Sequence, residues 1–310
     1  MLTVLSTRLK NIILFAAVLL GVTVTPFAYG DATTCFNFLD AQDYQRAENE
    51  AKQLLQRGNL ERVDERLTQL CLGEAYSNTG RNLDALPAFQ RVEALSQTTK
   101  ELSIAYNWLG GTYHALNDLD RAELYSQRAL KIVRELGDKK SESTMLNNLA
   151  LAANKRGDAE RALKLYRESL TIMPQLEQAT TLNNIALIHI ARKEYKSAIT
   201  LLRQAIKIDR GNGDTHQTAR WQINLGSVLN KDKQYASAEK ELLAGLNAIR
   251  LVGDKGWEAA ACEKLGWLAN ANPNNTVGDP REWMNKAKTI YREIGDTAGV
   301  DRIAKLLAGK

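Results

Sequence analysis

From residue 31 onward, apolar positions recur with the spacing of α-helices rather than with the alternation of strands. One predicted helix carries its apolar side chains on a single face, formed by Ala162, Leu163, Leu165, Tyr166 and Leu170. Short polar turns, such as Lys-Arg-Gly-Asp at residues 155–158, divide the pattern into pairs of helices. Glycine followed by aspartate is typical of a helix end and the cap of the next helix. This step occurs at residues 137–138, 213–214, 253–254 and 295–296.

The helix pairs repeat along the chain. A small residue follows Leu or Ile once in each of six units, at Gly73, Gly110, Ala150, Ala186, Gly226 and Gly266. A second small residue follows twelve positions later in five of them, at Ala85, Ala122, Ala162, Ala198 and Ala238. Small side chains let two helices approach closely, and each pair leaves an apolar face that only the next pair can cover. The spacing therefore predicts a stack of helix–turn–helix units.

These residues resemble the pattern of the tetratricopeptide repeat family. The first full repeat matches at Leu72, Gly73, Tyr76, Ala85 and Phe89, and the second at Tyr106, Leu109, Gly110, Tyr113, Ala122 and Ala129. The repeats are longer than is usual, and this chain resembles the long subtype of kinesin light chains and bacterial peptide receptors. The resemblance implies an all-α fold, a right-handed α-solenoid of about six to seven units with a C-terminal capping helix.

We expect one repeat domain over residues 31–310. Its predicted units are residues 31–58, 59–98, 99–137, 138–173, 174–212, 213–253 and 254–295, with a cap helix at 296–310. Residues 270–280 contain two Pro and four Asn and are predicted to form the one irregular loop.

Residues 1–30 have the pattern of a secretory signal peptide. Arg8 and Lys10 are their only charges, and the apolar run at residues 12–24 is shorter than the roughly 20 residues of a membrane span. Small residues at Ala28 and Gly30 favour cleavage after Gly30. An uncleaved single-helix anchor is the alternative. Cleavage implies a periplasmic or secreted protein that does not insert into a membrane.

The sequence contains no pattern of a catalytic or metal site. His114, His189 and His216 lie in different units without a Cys or carboxylate at zinc spacing, and no nucleophile or phosphate-loop motif is present. The net charge is +5, and no stripe of Lys and Arg with interleaved aromatics indicates a nucleic-acid partner. We therefore predict neither an enzyme nor a cofactor.

Cys35 and Cys71 are predicted on the first helices of adjacent units, where their side chains could meet in a disulfide. Export would allow such a bond. The alternative is two unpaired buried thiols. Cys262 then has no partner and is predicted to lie in the core.

Asparagine recurs in the first helices, although it is a mediocre helix former. Asn148, Asn184 and Asn224 stand two positions before the small residue, and Asn107, Asn147 and Asn183 stand three before it. A primary amide can pair with both the C=O and the N–H of an extended peptide, and relatives of the long subtype use Asn at the matching place. The alternative is that the amides bond between neighbouring helices. Neighbouring Asn point about 100° apart, so the two rows serve different purposes.

The predicted binding groove also includes residues with polar, basic or aromatic side chains at nearby positions. Besides Asn148, Asn184 and Asn224, the groove residues are Asn107, Asn154, Lys155, Arg220, Asn230, Lys231 and Trp267. We therefore expect an exported interaction module, an adaptor or assembly factor that binds a protein or peptide segment in its concave groove. A self-associating scaffold and a signal- or ligand-sensing receptor are the alternatives.

Overall fold

The structure, a computed structural model, describes residues 30–308 of the chain. The predicted signal peptide lies outside these residues, apart from Gly30. Within them the chain forms fifteen α-helices, a short 3₁₀ helix at Gln175–Glu177, and no strand. The helices are α1 (Gly30–Asp40), α2 (Tyr44–Arg57), α3 (Arg62–Asn78), α4 (Asn82–Leu95), α5 (Thr99–Ala115), α6 (Leu119–Glu135), α7 (Lys139–Lys155), α8 (Ala159–Ile172), α9 (Ala179–Ala191), α10 (Tyr195–Gly211), α11 (Thr215–Lys231), α12 (Tyr235–Val252), α13 (Lys255–Ala271), α14 (Pro280–Glu293) and α15 (Thr297–Leu307).

The chain divides into two compact parts. The N-terminal half contains α1 to α7 and ends at Asp158, and the C-terminal half begins at Ala159 and contains α8 to α15. Within each half, every helix packs against its neighbour in the chain. The first helix of one pair also contacts the first helix of the next pair: α1 contacts α3, α5 contacts α7, and α11 contacts α13.

Aspartate caps account for where many helices begin. The side chains of Asp118, Asp138, Asp214 and Asp254 each accept a hydrogen bond from the backbone N–H three residues further on. These bonds satisfy N–H groups that have no partner inside the helix. Gly253 ends α12 with φ of +81°, a conformation that disfavours any residue with a Cβ.

The N-terminal half has a core formed between paired helices. Ala85, Phe89 and Val92 of α4 are fully buried against α3, where Gly73 lies directly beneath the Phe89 ring. Leu109 of α5 belongs to the same cluster. The small residues are therefore found where a second helix comes closest, as the repeat pattern predicts.

The C-terminal half repeats this arrangement over more helices. Its core runs from Ala179 of α9 to Ile303 of α15 and includes the fully buried Leu202, Ile223 and Leu242. The predicted all-α fold of helix–turn–helix repeats is confirmed in both halves. None of the helices between residues 30 and 308 combines the length and the apolar character needed to cross a membrane.

Candidate functional site

The position two residues before each small residue forms the candidate site. In the N-terminal half it is occupied by Cys71, Trp108 and Asn148, on α3, α5 and α7. In the C-terminal half it is occupied by Asn184, Asn224 and Lys264, on α9, α11 and α13. We call the latter three residues the first-helix row. The amide series predicted from the sequence therefore falls partly in each half.

Two of the predicted asparagines bridge neighbouring first helices. Asn148 Nδ2 donates to Asn107 Oδ1 at 3.0 Å, from α7 to α5. Asn224 Nδ2 donates to Asn183 Oδ1 at 3.0 Å, from α11 to α9. For these two pairs the structure has the interhelical arrangement, and the amides join adjacent repeats.

The bridges leave part of each amide available. A primary amide has two donor hydrogens and an oxygen that can accept two bonds. The bridge uses one N–H of Asn224, and its oxygen has no partner among the described residues. Asn184 accepts a long hydrogen bond of 3.4 Å from Asn183 on its own helix, and its side chain also lies near the buried hydroxyl of Tyr166 on α8. Asn184 therefore differs from Asn224 in making, among the described residues, no hydrogen bond to the first helix of a neighbouring repeat.

The remaining predicted polar residues lie at the C-terminal ends of first helices. Asn154 and Lys155 are exposed at the end of α7, and Lys155 Nζ donates to the backbone oxygen of His114 at 3.1 Å. Lys231 is exposed at the end of α11. The Asn230 side-chain oxygen beside it is buried and accepts no hydrogen bond from the described residues.

Arg220 is not a free basic group, which differs from its predicted place as a groove charge. Its guanidinium carbon lies 4.9 Å from the ring centroid of Trp257 and 5.7 Å from that of Trp221. Its Nη1 donates to Gln217 Oε1 at 2.8 Å. Burial lowers the pKa of Arg220, although Asp254 and Asp214 partly offset this effect. Arg220 therefore packs α11 against the start of α13.

Lys264 carries the charge of the first-helix row. Burial lowers the pKa of its ammonium group, against the attraction of Glu263. Glu263 is itself held by Arg302, at 2.9 Å, and by the Tyr291 hydroxyl, at 3.0 Å. Lys264 makes no ion pair with a described residue, so its charge is available to a bound acidic group.

Two exposed apolar side chains flank the row. Trp267 is 43% exposed and was predicted from the sequence, whereas Leu187, 44% exposed, was missed. Both stand one position after the small residue of their repeat, Gly266 and Ala186. This shared position in the repeat is the feature of the sequence from which Leu187 could have been predicted as a site residue. Together with the row they form a surface of amide, cationic and apolar groups on α9, α11 and α13.

The structure contains a disulfide between Cys35 of α1 and Cys71 of α3, whose Cα atoms are 6.3 Å apart. Both residues are fully buried. Cys262 is free and buried in α13, and burial raises the pKa of its thiol to about 11. Among residues 30–308, no three His, Cys, Asp or Glu side chains are grouped so that they could hold a metal ion.

Glu74 of α3 gives the N-terminal half an acidic group that was not predicted as a site. Burial, together with nearby Asp40, raises the pKa of its carboxyl to about 8 from the ordinary 4.5. Because the folded state keeps this proton between pH 4.5 and 8 while the unfolded state releases it, stability should fall as pH rises through that window.

Replacing Glu74 by Gln should remove this pH dependence. We expect Glu74→Gln to match the wild type near pH 4 and to exceed its unfolding free energy by a few kcal/mol at pH 8.5, since each unit of pKa shift corresponds to about 1.4 kcal/mol. Urea denaturation at both pH values measures the difference. Equal stabilities of the two proteins at pH 8.5 would contradict the raised pKa.

The helix pairs define the class of protein as a helical repeat protein. Residues 101–175 and 177–250 match the family model of the tetratricopeptide repeat. These repeats are therefore tetratricopeptide repeats, and the resemblance noted from the sequence is confirmed. A sequence comparison with curated proteins found no match.

Solved structures with the same fold include bacterial regulators. The apo form of the quorum sensor NprR from B. thuringiensis has a TM-score of 0.75 at 15% identity and covers 99% of this chain and 89% of its own. A Rap protein complexed with competence and sporulation factor has a TM-score of 0.68 at 11% identity, covering 98% and 91%. The Rap conjugation gene regulator of the plasmid pLS20, in complex with the Phr* peptide, has a TM-score of 0.63 at 16% identity, covering 89% and 80%. At these identities the similarity shows the fold.

Proposed function

We propose that this protein is an exported protein-interaction module that binds an extended peptide or protein segment along its first helices. It acts as an adaptor or assembly factor in the cell envelope and has no catalytic role. The observation that carries the proposal is the first-helix row of Asn184, Asn224 and Lys264, flanked by exposed Leu187 and Trp267.

Each part of this surface suits one part of a peptide. The Asn184 amide offers a donor and an acceptor to a peptide backbone, which allows binding without reading side chains. Leu187 and Trp267 offer apolar contact, and aromatic residues often dominate the energy of such interfaces. Lys264 favours a segment with a carboxylate near one end. Of two similar Rap structures, one contains the Phr* peptide and the other contains competence and sporulation factor, and the first supports a peptide as the partner class.

A signal-sensing receptor is the second candidate function. The similar NprR structure is that of a quorum sensor. In such a receptor, binding would change the shape of the repeat array, whereas an adaptor would keep it. Small-angle scattering with and without the bound segment separates the two, and a scaffold that self-associates would instead show a mass that rises with concentration.

The test compares a variant of the proposed surface with a control outside it. Asn184→Ala/Trp267→Ala removes an amide and an aromatic ring, neither of which forms a hydrogen bond between the described first helices of neighbouring repeats. Leu251→Ala removes a side chain that is 90% exposed at the end of α12. Both variants should melt like the wild type. Partners are captured from envelope extract, and the captured segment is then titrated as a synthetic peptide by fluorescence anisotropy.

We expect the wild type and Leu251→Ala to bind the segment equally, and the double variant to bind at least about tenfold more weakly. Equal binding by the double variant would move the partner to another surface and contradict the proposal. Sequencing the N-terminus of protein recovered from the cell tests export, since cleavage as proposed leaves Asp31 as the first residue.

A further inference from the structure

A pocket outside the first-helix row lies between α10 and α12 of the C-terminal half, over Leu225 of α11. It has a volume of about 470 Å³. Three cationic side chains of α10 line it, Arg203, Lys207 and Arg210, and one carboxylate, Glu241 of α12, faces them. Ile206 and Leu225 add apolar lining.

The three cations have no counter-ion in the part of the chain that the structure describes. They are exposed, and none forms a hydrogen bond or an ion pair with another described side chain. Glu241 is engaged elsewhere, since its Oε2 accepts from Gln222 Nε2 at 3.1 Å. Asp209, next to Arg210, is buried and accepts from Trp221 Nε1 at 2.6 Å. Three cations against one carboxylate give the lining a net charge of +2.

Two other repeats neutralise the arginine that corresponds to Arg210. In α6 and α7, Arg134 Nε donates to Glu142 Oε1 at 2.8 Å, and Lys139 Nζ donates to the other oxygen at 2.8 Å. In α12 and α13, Arg250 Nε donates to Glu258 Oε1 at 2.9 Å, and Lys255 Nζ donates to Oε2 at 2.8 Å. We call this arrangement of one buried Glu and two cations the glutamate clamp.

The repeat of α10 and α11 lacks the clamp carboxylate. Each clamp Glu stands eight positions before the small residue of its repeat, and the residue eight positions before Gly226 is Thr218. Thr218 is buried, and its hydroxyl has no hydrogen-bond partner among the described residues. The turns are alike, because Gly137, Gly213 and Gly253 have φ of +67°, +72° and +81°. Arg210 therefore occupies the same position before the turn as Arg134 and Arg250, but the glutamate that would pair with it is absent.

We propose that this pocket binds a phosphate group, whose charge replaces the missing carboxylate. A phosphate monoester carries a charge of about −1.5 to −2 at pH 7, which matches the lining. Arginine guanidinium groups bind phosphate oxygens through paired N–H donors, and lysine adds a point charge. The apolar floor accommodates the carbon atoms of an ester. The source of the group is either a soluble phosphate ester or the headgroup of an anionic lipid.

The experiment restores the clamp without removing a cation. Thr218→Glu places a carboxylate at the position where two other repeats already bury one. The new carboxylate then pairs with Arg210 and neutralises its charge. Arg210→Gln removes the cation directly. Lys196→Gln is the matched control, because Lys196 is exposed on the same helix α10 but does not line the pocket. Inorganic phosphate is titrated into each purified protein at low ionic strength by isothermal titration calorimetry.

We expect the wild type and Lys196→Gln to bind one phosphate per chain with the same affinity. Thr218→Glu and Arg210→Gln should each bind at least about tenfold more weakly, since each removes a charge-assisted contact. Thr218→Glu should also melt at a higher temperature than the wild type, which shows that the variant is folded. Absence of saturable binding by the wild type, or equal binding by Thr218→Glu, would overturn the proposal.

A second arm distinguishes the sources of the phosphate group. The same proteins are sedimented with phosphatidylcholine vesicles and with vesicles that also contain phosphatidic acid. Retention only on the second kind, competed by inorganic phosphate and lost in Thr218→Glu, identifies a lipid headgroup. Binding of inorganic phosphate without vesicle retention identifies a soluble ester. This pocket does not depend on the proposed peptide surface, whose variants leave α10 unchanged.

Discussion

Removal of the Cys35–Cys71 disulfide should lower the free energy of unfolding by roughly 3 to 4 kcal/mol. The bond joins α1 to α3 across a sequence separation of 36 residues, so the unfolded chain loses the entropy of a long loop. Urea denaturation of Cys35→Ala/Cys71→Ala, followed by circular dichroism, measures the change. We expect the lost stability to appear mainly as fraying of α1 and α2, which terminate the described repeats.

Cys262→Ala provides the control for the loss of a buried thiol. It removes a buried sulfur from α13 but leaves the disulfide intact. Its denaturation midpoint should still fall when a reductant is added, whereas the midpoint of the double variant should not change. If the wild type, with all three thiols free after reduction, kept its midpoint, the disulfide would contribute nothing to stability.

The helical repeat itself could be predicted from the spacing of small and apolar residues. Gly73 and Phe89 belong to the repeat pattern, and the structure brings the two into contact. Such contacts follow from the sequence because each helix pair packs locally, in chain order.

The candidate site was predictable only in part, because it depends on how neighbouring helices are rotated. The register placed Asn148 and Asn224 on first helices, but only the packing of α5 with α7 and of α9 with α11 shows that they bridge to Asn107 and Asn183. Adjacent residues on a helix point about 100° apart. Rotation of α7 or α9 by that angle would therefore have turned Asn147 or Asn184 toward the neighbouring helix instead.

Arg220 and Thr218 show two further limits of sequence reasoning. The position of Arg220 indicated a groove charge, but two tryptophan rings surround it, and Trp257 comes from the following repeat. Thr218 attracts attention only when its repeat is compared with two others. In those repeats the equivalent residues, Glu142 and Glu258, bind arginines, so a carboxylate is missing at Thr218. A pattern of contacts, rather than of residue types, was needed to find the pocket.

Addition of a single methyl group at Gly245 should destabilise the protein by about 2 to 3 kcal/mol. Gly245 lies on α12 where this helix crosses α11. A Cβ there would lie 2.7 Å from Ile223 Cγ1 and 2.9 Å from the backbone oxygen of Ala219. The side chain of Ile223 is fully buried and the oxygen belongs to a helix backbone, so neither can move aside without separating the two helices.

Gly111→Ala is the matched control, and it should change stability in the opposite direction. Gly111 lies inside α5, and a Cβ at this position would meet no atom within 4 Å. Since alanine costs less backbone entropy than glycine in a helix, the variant should gain up to about 1 kcal/mol. Urea denaturation of Gly245→Ala, Gly111→Ala and the wild type gives the comparison. A Gly245→Ala protein as stable as the wild type would mean that α11 and α12 can separate freely, which would contradict close approach as the reason for a small residue at this position.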